Sequence, residues 1–490
     1  MIPTGKRERG PRPTVSGLDR RRLGAPELTA QSVAVTAPTL STASGPATVA
    51  AVTGGGAALS YLIATVVMLL VGYCVSQYTR RMVAAGSLYS YAAKGFGPRA
   101  AFLAGIGLII GYGVLAMSTM LLAGAYLGRV LVRLGILPGV GTAGTAALAV
   151  LLALVTVGCG LRGITVTART FLAIEVAAIA AVVMALVGMI VGGTGHLDLW
   201  QAVGPGYDWH GSVLGVVLAL TSFVGFESAS ALSVEARRPQ VSVARAIMRT
   251  VWVAGLLYLL ASAVQPNITG APDRPGSMDL PLVDLAGGLH RPWLTWMLEI
   301  GVAASAFACM SGSITALVRL LFSMGREGVL PRCLGRVKAA RGAPHVALTV
   351  SAVFVIVVPL GMLLTGISVA RASDELATLA TFGYLLAYVV VCLSTPLFLH
   401  RIGELTPSTA LAGPLAAAAM GTAFVLYSSP LVPQGHHGIV WLFLALVTAA
   451  MTWYLLIRTR RPELLDQVGV WDEPTASDLY NPADLVSEAR

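Results

Sequence analysis

Thr221-Ser222-Phe223-Val224-Gly225-Phe226-Glu227 lies near the middle of a long apolar segment, residues 212–235, and places a glycine beside a carboxylate. Glycine weakens a helix, and a charge at the centre of a bilayer costs at least about 2.5 to 3.5 kcal/mol on insertion scales. A break of this kind is tolerated in lipid only where protein or a water-filled cavity satisfies the exposed backbone. The stretch therefore predicts an interrupted membrane helix at a functional site.

A second interruption lies in the first apolar segment, residues 30–54. The run Ala37-Pro38-Thr39-Leu40-Ser41-Thr42-Ala43-Ser44-Gly45-Pro46 combines two prolines with a glycine and four hydroxyl side chains. Proline removes a backbone donor, and neither glycine nor clustered hydroxyls favour a helix interior. Two interrupted helices five spans apart are expected for an inverted five-plus-five repeat, with ordinary helix kinks as the alternative.

The composition of the whole chain indicates a polytopic, all-α membrane protein. Of 490 residues, 56% are hydrophobic and 11% are charged, and the mean hydropathy is +0.77. Soluble domains carry about 25% charged residues, so a water-soluble enzyme of this size is excluded. Apolar runs long enough to cross a bilayer predict twelve spans, at residues 30–54, 57–79, 100–127, 143–161, 168–193, 212–235, 243–265, 293–318, 345–365, 375–399, 409–428 and 437–457.

The basic residues predict that both termini lie in the cytoplasm. With the N-terminus inside, 28 of the 33 Lys and Arg residues fall in cytoplasmic segments, as the positive-inside rule requires. The polar N-terminal stretch has no signal-peptide pattern. We expect a multi-pass protein of the cell membrane in four regions: a cytoplasmic tail at 1–29, a ten-helix inverted-repeat core at 30–400, helices 11 and 12 at 401–458, and a second cytoplasmic tail at 459–490.

Other classes of function lack their sequence signals. The net charge of +10 would suggest nucleic acid for a soluble protein, but here the basic residues follow the membrane topology. The five cysteines show neither metal-ligand spacing nor a disulfide framework, so we expect no metal and no cofactor. A membrane-embedded enzyme would need paired acidic or His-containing motifs, and His436-His437 has no acids nearby. Such an enzyme and a non-transporting sensor are the alternatives to a transporter.

Three pieces of the chain carry a family resemblance. They are Ser222-Phe223-Val224-Gly225-Phe226-Glu227 with Glu235-Ala236-Arg237-Arg238-Pro239 after it, Arg319-Leu320-Leu321-Phe322-Ser323-Met324-Gly325-Arg326-Glu327-Gly328-Val329-Leu330-Pro331, and Ala85-Gly86-Ser87-Leu88-Tyr89-Ser90-Tyr91 with Gly97. At these residues, and in their order, the chain resembles the amino acid–polyamine–organocation (APC) family of permeases through spans 1 to 10. The resemblance implies the leucine-transporter-like fold with discontinuous helices 1 and 6.

The two interruptions are the predicted substrate site. An N-terminal half-helix end offers free N–H groups to a carboxylate, and unwound backbone offers carbonyls to an ammonium. By the resemblance, Thr39, Leu40, Ser41 and Thr42 would face the substrate carboxylate, although many members carry Gly-Ser-Gly where this chain has Thr39-Leu40-Ser41. Thr221, Ser222, Phe223 and Val224 would face the amine, with Gly225 at the same break. Phe223 and Phe226 shield the site or simply pack.

Three carboxylates lie within the predicted spans. Glu227 abuts the second interruption and matches a glutamate of the family, so we assign it to gating or proton sensing. Glu175 lies about 11 residues into span 5, near the midplane at about 1.5 Å per residue. Spans 1, 5 and 8 hold no Lys or Arg at that depth, so we expect Glu175 to be protonated in at least one state and to couple transport to protons. Glu299 lies nearer the outer end and is able to snorkel.

The coupling ion is the least constrained part of the prediction. Sodium-driven relatives of this fold place hydroxyls on helix 8, where this chain has Ser311, Ser313 and Thr315, but small hydroxyls are also ordinary packing residues in membranes. Glu175 favours protons. The predicted function is secondary active transport of amino acids or related amines by alternating access, as proton-coupled symport or exchange. The partners are then a small-molecule substrate, protons with sodium as the alternative, and the lipid bilayer, without nucleic acid.

Overall fold

We analysed a computed structural model of the chain. It describes residues 22–53, 56–162, 165–191, 209–264, 281–287, 291–337, 344–428, 437–465 and 468–469. These residues are almost entirely helical and contain no β-strand, only a single parallel bridge between Leu23 and Ala236. The all-α prediction is confirmed for the described part of the chain.

Fifteen α-helices are described. They are α1 (Ala25–Thr36), α2 (Pro38–Thr53), α3 (Ala57–Thr79), α4 (Leu88–Phe96), α5 (Pro98–Arg133), α6 (Thr142–Arg162), α7 (Thr165–Val191), α8 (Trp209–Thr221), α9 (Pro239–Val264), α10 (Pro281–Gly287), α11 (Pro292–Arg326), α12 (His345–Leu364), α13 (Val369–Arg401), α14 (Pro407–Tyr427) and α15 (His437–Arg460). Three 3₁₀ helices accompany them, at Phe226–Glu235, Arg332–Gly335 and Pro462–Leu464.

Eleven helical segments in the described residues are long and apolar enough to cross a membrane. They coincide with predicted spans 2 to 12, although α5 and α11 reach several residues beyond the predicted ends. The predicted first span corresponds to α1 and α2, which contain 12 and 16 residues and are therefore each short of a full crossing. Helix α1 begins at Ala25, inside the region predicted as the N-terminal tail, because Pro26 and Glu27 suit the first turn of a helix.

Within the run from Ala37 to Pro46 we predicted the interruption of the first span near residues 39–45, and it lies two residues earlier, at Ala37. Ala37 has φ 47° and ψ 60°, a left-handed conformation, and separates α1 from α2. The cause is Pro38, because proline disfavours the helical conformation in the residue before it and is well suited to the first position of a new helix. Thr39 to Gly45 are therefore helical, and Pro46 is accommodated inside α2.

The interruption of the sixth span occupies residues 222–225, within the stretch 222–227 where we predicted it. Helix α8 ends at Thr221, and Gly225 adopts φ 91°, which lies in the left-handed region that favours glycine. The chain then continues as a ten-residue 3₁₀ helix, Phe226–Glu235, rather than as an α-helix. Runs of 3₁₀ helix this long are uncommon and often mark a functional hinge.

Helices α5, α11 and α13 form the centre of the bundle. Helix α5 packs against both α11 and α13, and α5 and α13 are buried along most of their length. Helix α15 is exposed along most of its length, with apolar side chains such as Trp441 and Leu455 on its surface. The buried centre holds several tyrosines, including Tyr112, Tyr384 and Tyr388, whose hydroxyls need hydrogen-bond partners there.

Candidate functional site

The two interruptions lie against each other. The Ser32 hydroxyl of α1 donates a hydrogen bond to the Phe226 carbonyl, and the Ser228 hydroxyl donates to the Gln31 carbonyl at 3.1 Å. Gly225 approaches α1 so closely that a Cβ atom on it would fall 2.3 Å from Cγ1 of Val35. Each interrupted segment thus donates a hydroxyl hydrogen bond to a backbone carbonyl of the other.

Helix α2 begins with its N-terminus facing Glu175 of α7. The backbone N–H of Thr39 donates to Oε1 of Glu175 at 3.0 Å, and the Ser305 hydroxyl of α11 donates to the same oxygen at 3.1 Å. The Leu40 N–H in turn donates to the Ser305 hydroxyl at 3.4 Å. A carboxylate at a helix N-terminus is stabilised by both the free N–H groups and the helix dipole.

Glu175 is buried, with 3% of its surface exposed. No ion pair among the described residues involves Glu175, in line with our expectation that it lacks a basic partner. We did not anticipate its partners, a backbone N–H and a hydroxyl from two other helices. Because Oε1 of Glu175 accepts hydrogen bonds from both groups, the carboxylate does not need a proton to satisfy that oxygen in this conformation. Its role in proton coupling stays a prediction.

Glu227 is completely buried at the start of the 3₁₀ helix and holds three elements together. Tyr112 of α5 donates to its Oε1 at 2.8 Å, and Tyr388 of α13 donates to its Oε2. The Tyr388 hydroxyl also accepts the Gly225 N–H at 3.1 Å, so the same phenol contacts both the turn and the carboxylate. Tyr384 packs edge-on against Tyr112 with ring centroids 5.4 Å apart.

Ser222 and Phe223 directly follow the end of α8 and lie among aromatic side chains. The Tyr258 hydroxyl donates to the Ser222 carbonyl at 2.8 Å, and Tyr61 lies 3.2 Å from the Ser222 hydroxyl. Phe223 is fully buried and packs edge-on against Tyr258 with centroids 5.0 Å apart. Ser222 also lies against α2. A Cβ atom on Gly45 of that helix would meet both the Tyr61 and the Ser222 hydroxyls.

The remaining predicted residues make local contacts. The hydroxyls of Thr42 and Thr221 donate to the carbonyls of Pro38 and Leu218 in their own helices, at 2.6 and 2.7 Å. Val224 is buried, and Phe226 is buried against Tyr388 with centroids 5.5 Å apart. Ser41 is only partly buried, and its N–H donates to the Ala37 carbonyl at 3.0 Å.

Several contacts join the segments at the end of the bundle that carries Leu23 and Glu235, which we call the inner end because the predicted topology places it at the cytoplasm. The Leu23 N–H donates to the Glu235 carbonyl and the Leu23 carbonyl accepts from the Arg237 N–H, both at 2.9 Å. Two ion pairs flank this pairing, Glu27 with Arg169 and Glu235 with Arg319.

The three sequence pieces that carry the family resemblance meet at the inner end. The hydroxyls of Ser87 and Ser230 hydrogen-bond to each other, which joins the piece from Ala85 to Tyr91 to the 3₁₀ helix. The Tyr89 hydroxyl donates to Glu327, which joins the same piece to the one from Arg319 to Pro331. Residues far apart in sequence thus form one connected layer beneath the interruptions.

A cavity in the described residues lies beside α1. It contains about 860 Å³ of empty space, including the part open to the outside, and its walls are mostly apolar. Helices α1, α6, α7, α11 and α12 form it, with Gln31, Cys159, Phe307 and Arg319 among its lining residues. None of the predicted substrate-binding residues lines it, so the interruptions and not this cavity remain the candidate site.

Other candidates from the sequence have structural partners. Glu299 forms an ion pair with Arg133, whose guanidinium lies 5.0 Å from the centre of the Trp296 ring. The hydroxyl residues predicted on helix 8 lie on α11. The Ser311 hydroxyl hydrogen-bonds to the Thr156 hydroxyl at 2.9 Å, and the Thr315 hydroxyl donates to the Ser311 carbonyl. The Ser313 hydroxyl is buried without a partner in the described residues. Within those same residues, no cluster of three His, Cys, Asp or Glu side chains forms a metal site.

These features define a class of protein. The described residues contain eleven apolar segments of membrane length; one of them, Val213–Glu235, is interrupted and contacts the interrupted pair α1 and α2, and a buried carboxylate lies at each interruption. This is the arrangement of a multi-pass membrane protein with a site between discontinuous helices. Residues 29–433 match the model of the amino acid permease family, and the chain belongs to that family. The predicted family resemblance is confirmed.

Several curated proteins are similar to the chain over most of its length. The branched-chain amino acid permease BcaP of Bacillus subtilis (strain 168) is 25% identical over 391 residues, which cover 76% of this chain and 79% of that protein. The methylthioribose transporter of the same strain is 25% identical over 438 residues, 85% of this chain and 89% of that protein. The low-affinity putrescine importer PlaP of Escherichia coli (strain K12) is 25% identical over 300 residues, 58% and 62% respectively. These are names of transporters rather than enzymes.

Proposed function

We propose that the protein is a secondary active transporter of amino acids or related amines that works by alternating access. The observation that carries the proposal is the contact between the two interrupted helices, with Glu175 and Glu227 buried beside them. Ends of half-helices are fixed dipoles that recognise a charged solute without large charged side chains. The names of the relatives, which refer to branched-chain amino acids, methylthioribose and putrescine, support a small polar solute.

Alternating access requires a closure that opens and reforms on each side of the site. The inner end supplies a candidate for one such closure, since the Leu23 pairing and its two flanking ion pairs join α1 to the 3₁₀ helix, α7 and α11. All three contacts involve α1 or the 3₁₀ helix. A rigid movement of these two segments away from α7 and α11 would open a path from the site to the inner side.

Protons are the coupling ion in this proposal. Glu227 and Glu175 are buried carboxylates without a basic partner in the described residues, and each hydrogen-bonds across helices that must move relative to one another. Uptake or loss of a proton changes which of these hydrogen bonds is possible. Sodium is the alternative. Ser311 and Thr315 already hydrogen-bond within the protein, so Ser313 is the helix 8 hydroxyl that stays available for it.

The direct test is uptake into liposomes that contain the purified full-length protein. Labelled amino acids and amines are supplied with an imposed pH gradient, with an imposed sodium gradient, and with neither. We expect accumulation above the external concentration only under the pH gradient. Accumulation under the sodium gradient alone would reassign the coupling ion, and the absence of any protein-dependent uptake across the panel would favour the enzyme or sensor alternatives.

A further inference from the structure

The N-terminus of α2 has no unused hydrogen-bond donor. Its first residue, Pro38, lacks an N–H group, and the N–H groups of Thr39 and Leu40 donate to Glu175 and Ser305. The Ser41 N–H makes the first regular helix bond, to the Ala37 carbonyl. A helix has four unsatisfied N–H groups at its start, and here proline, two side chains and the turn itself account for all of them.

This arrangement bears on which solute the transporter recognises, and the inference rests on the proposed function. A half-helix N-terminus at mid-membrane depth is the place where a solute carboxylate would bind. In this chain the carboxylate of Glu175 already occupies that place, held there by two donors from two different helices. We propose that Glu175 substitutes for a substrate carboxylate, and that the protein transports organic amines that lack a carboxylate.

The charge of Glu175 supports this assignment in two ways. A solute carboxylate at the α2 N-terminus would lie next to Glu175, and two like charges in a buried site repel each other strongly. Displacing Glu175 instead would leave it buried without the Thr39 and Ser305 donors, which is unfavourable for a charged group. An α-amino acid therefore meets an obstacle at this helix end that its decarboxylated amine does not meet.

The features that would recognise an ammonium are unaffected by Glu175. Helices α1 and α8 both end at the interruptions, at Thr36 and Thr221, so the negative ends of their dipoles face the site. The Thr39 hydroxyl is buried beside Glu175 and makes no hydrogen bond of ordinary geometry to the described residues. Arg169 is a basic residue of α7 that could attract a solute carboxylate, but its guanidinium is already paired with Glu27. The site is thus rich in acceptors and favours a cation.

The test compares amino acids with the amines that remain when only the carboxylate is removed. Binding of lysine and cadaverine, arginine and agmatine, and leucine and isoamylamine to the purified full-length protein is measured by competition and by thermal stabilisation. We expect at least one amine to bind tenfold or more tightly than its parent amino acid. An amino acid that binds as tightly as its own amine, in every pair that binds, overturns the inference and leaves the transporter proposal standing. If no member of any pair binds or is transported, the proposed substrate range fails together with the inference.

Variants at Glu175 add a gain of function. Glu175→Gln keeps an oxygen for Thr39 and Ser305 but removes the like-charge repulsion, so the preference for the amine should shrink without being lost. Glu175→Ala vacates the helix end, and the ratio of amine to amino acid affinity should fall at least tenfold. An unchanged ratio in a folded Glu175→Ala protein overturns the assignment. If that variant does not fold, the wild-type comparison of matched pairs still decides.

Discussion

Gly225 packs so closely against Val35 of α1 that any side chain at position 225 would overlap Val35. A Cβ atom on Gly225 would lie 2.3 Å from Cγ1 and 3.2 Å from Cβ of Val35, and the glycine also adopts φ 91°. This close contact and the left-handed glycine lie together where the interrupted sixth span crosses α1. The contact sets the distance between the two interruptions, and with it the positions of the hydrogen bonds from Ser32 and Ser228.

We therefore expect Gly225→Ala to abolish transport. The added methyl group must push α1 away, and overpacking of this kind together with a left-handed alanine costs about 1 to 3 kcal/mol or more. Uptake should fall at least about tenfold, and the purified variant should unfold at a lower temperature. Gly421→Ala in α14 is the matched control, because a Cβ there meets nothing within 4 Å. Equal uptake by the two variants would contradict the role given to this contact.

Glu227→Gln should reduce transport or remove its pH dependence while the protein still inserts and folds. The amide keeps the size of the side chain and an oxygen for the Tyr112 hydroxyl, but it does not titrate. Its NH₂ group faces Tyr388, which must turn its hydroxyl and so alters the contact with Gly225. Uptake is measured between about pH 5 and 8, where a proton-sensing group acts. A profile that matches the wild type across this range would remove Glu227 from the mechanism.

Glu175→Gln should abolish accumulation against a gradient while leaving counterflow exchange largely intact. The amide oxygen can still accept from Thr39 and Ser305, so the site keeps its shape, but the variant cannot carry a proton. Both assays use the same liposomes, with the pH gradient present for accumulation and absent for exchange. Glu375→Gln is the control, because Glu375 pairs with Arg371 at the exposed start of α13. A Glu175→Gln protein that still concentrates substrate under a pH gradient alone would make Glu175 structural.

Glu27→Ala should loosen the inner end. Glu27 is buried while its partner Arg169 is mostly exposed, and a pair of this kind is worth about 1 kcal/mol, which corresponds to roughly a fivefold change in the open population. Cys309 is a natural reporter, because it is buried and its thiol donates to the Val35 carbonyl of α1 at 3.1 Å. With the other four cysteines replaced, labelling of Cys309 by a maleimide should become several-fold faster.

The control for that experiment is Glu404→Ala, which removes an ion pair with Arg81 that lies outside the closure. Its labelling rate should equal that of the parent. If Glu27→Ala also leaves the rate unchanged, the pair with Arg169 does not hold the inner end closed, and the closure would rest on the Leu23 pairing and the Glu235–Arg319 pair.

The positions of the spans followed from the sequence because apolar length is a local property. The break in the sixth span was likewise predictable, since Gly225 and Glu227 both oppose a continuous membrane helix. The break in the first span was placed two residues too late. The run from Ala37 to Pro46 offers several helix breakers, and only the backbone geometry decides that Pro38 starts a new helix whereas Pro46 is tolerated inside it.

The partners of the buried carboxylates were outside the reach of sequence reasoning. Glu175 meets Thr39 and Ser305 across 136 and 130 positions of sequence, and Glu227 meets Tyr112 across 115. Hydroxyls and tyrosines are common in membrane helices, and nothing in their local sequence distinguishes those that face a carboxylate. The interruptions could be read from the residues that form them, whereas the hydrogen-bond network depends on how distant helices pack.

The 3₁₀ helix from Phe226 to Glu235 also sets a length. At about 2.0 Å per residue its ten residues extend about 20 Å, whereas the same residues wound as an α-helix would extend about 15 Å. Leu23 pairs with Glu235 and Arg237, at and just beyond the far end of this segment. Rewinding it would draw that end about 5 Å toward Gly225, farther than a hydrogen bond can stretch. The Leu23 pairing can therefore persist only while this segment keeps its 3₁₀ winding or α1 moves with its far end, so a change of winding in ten residues would be felt directly by α1.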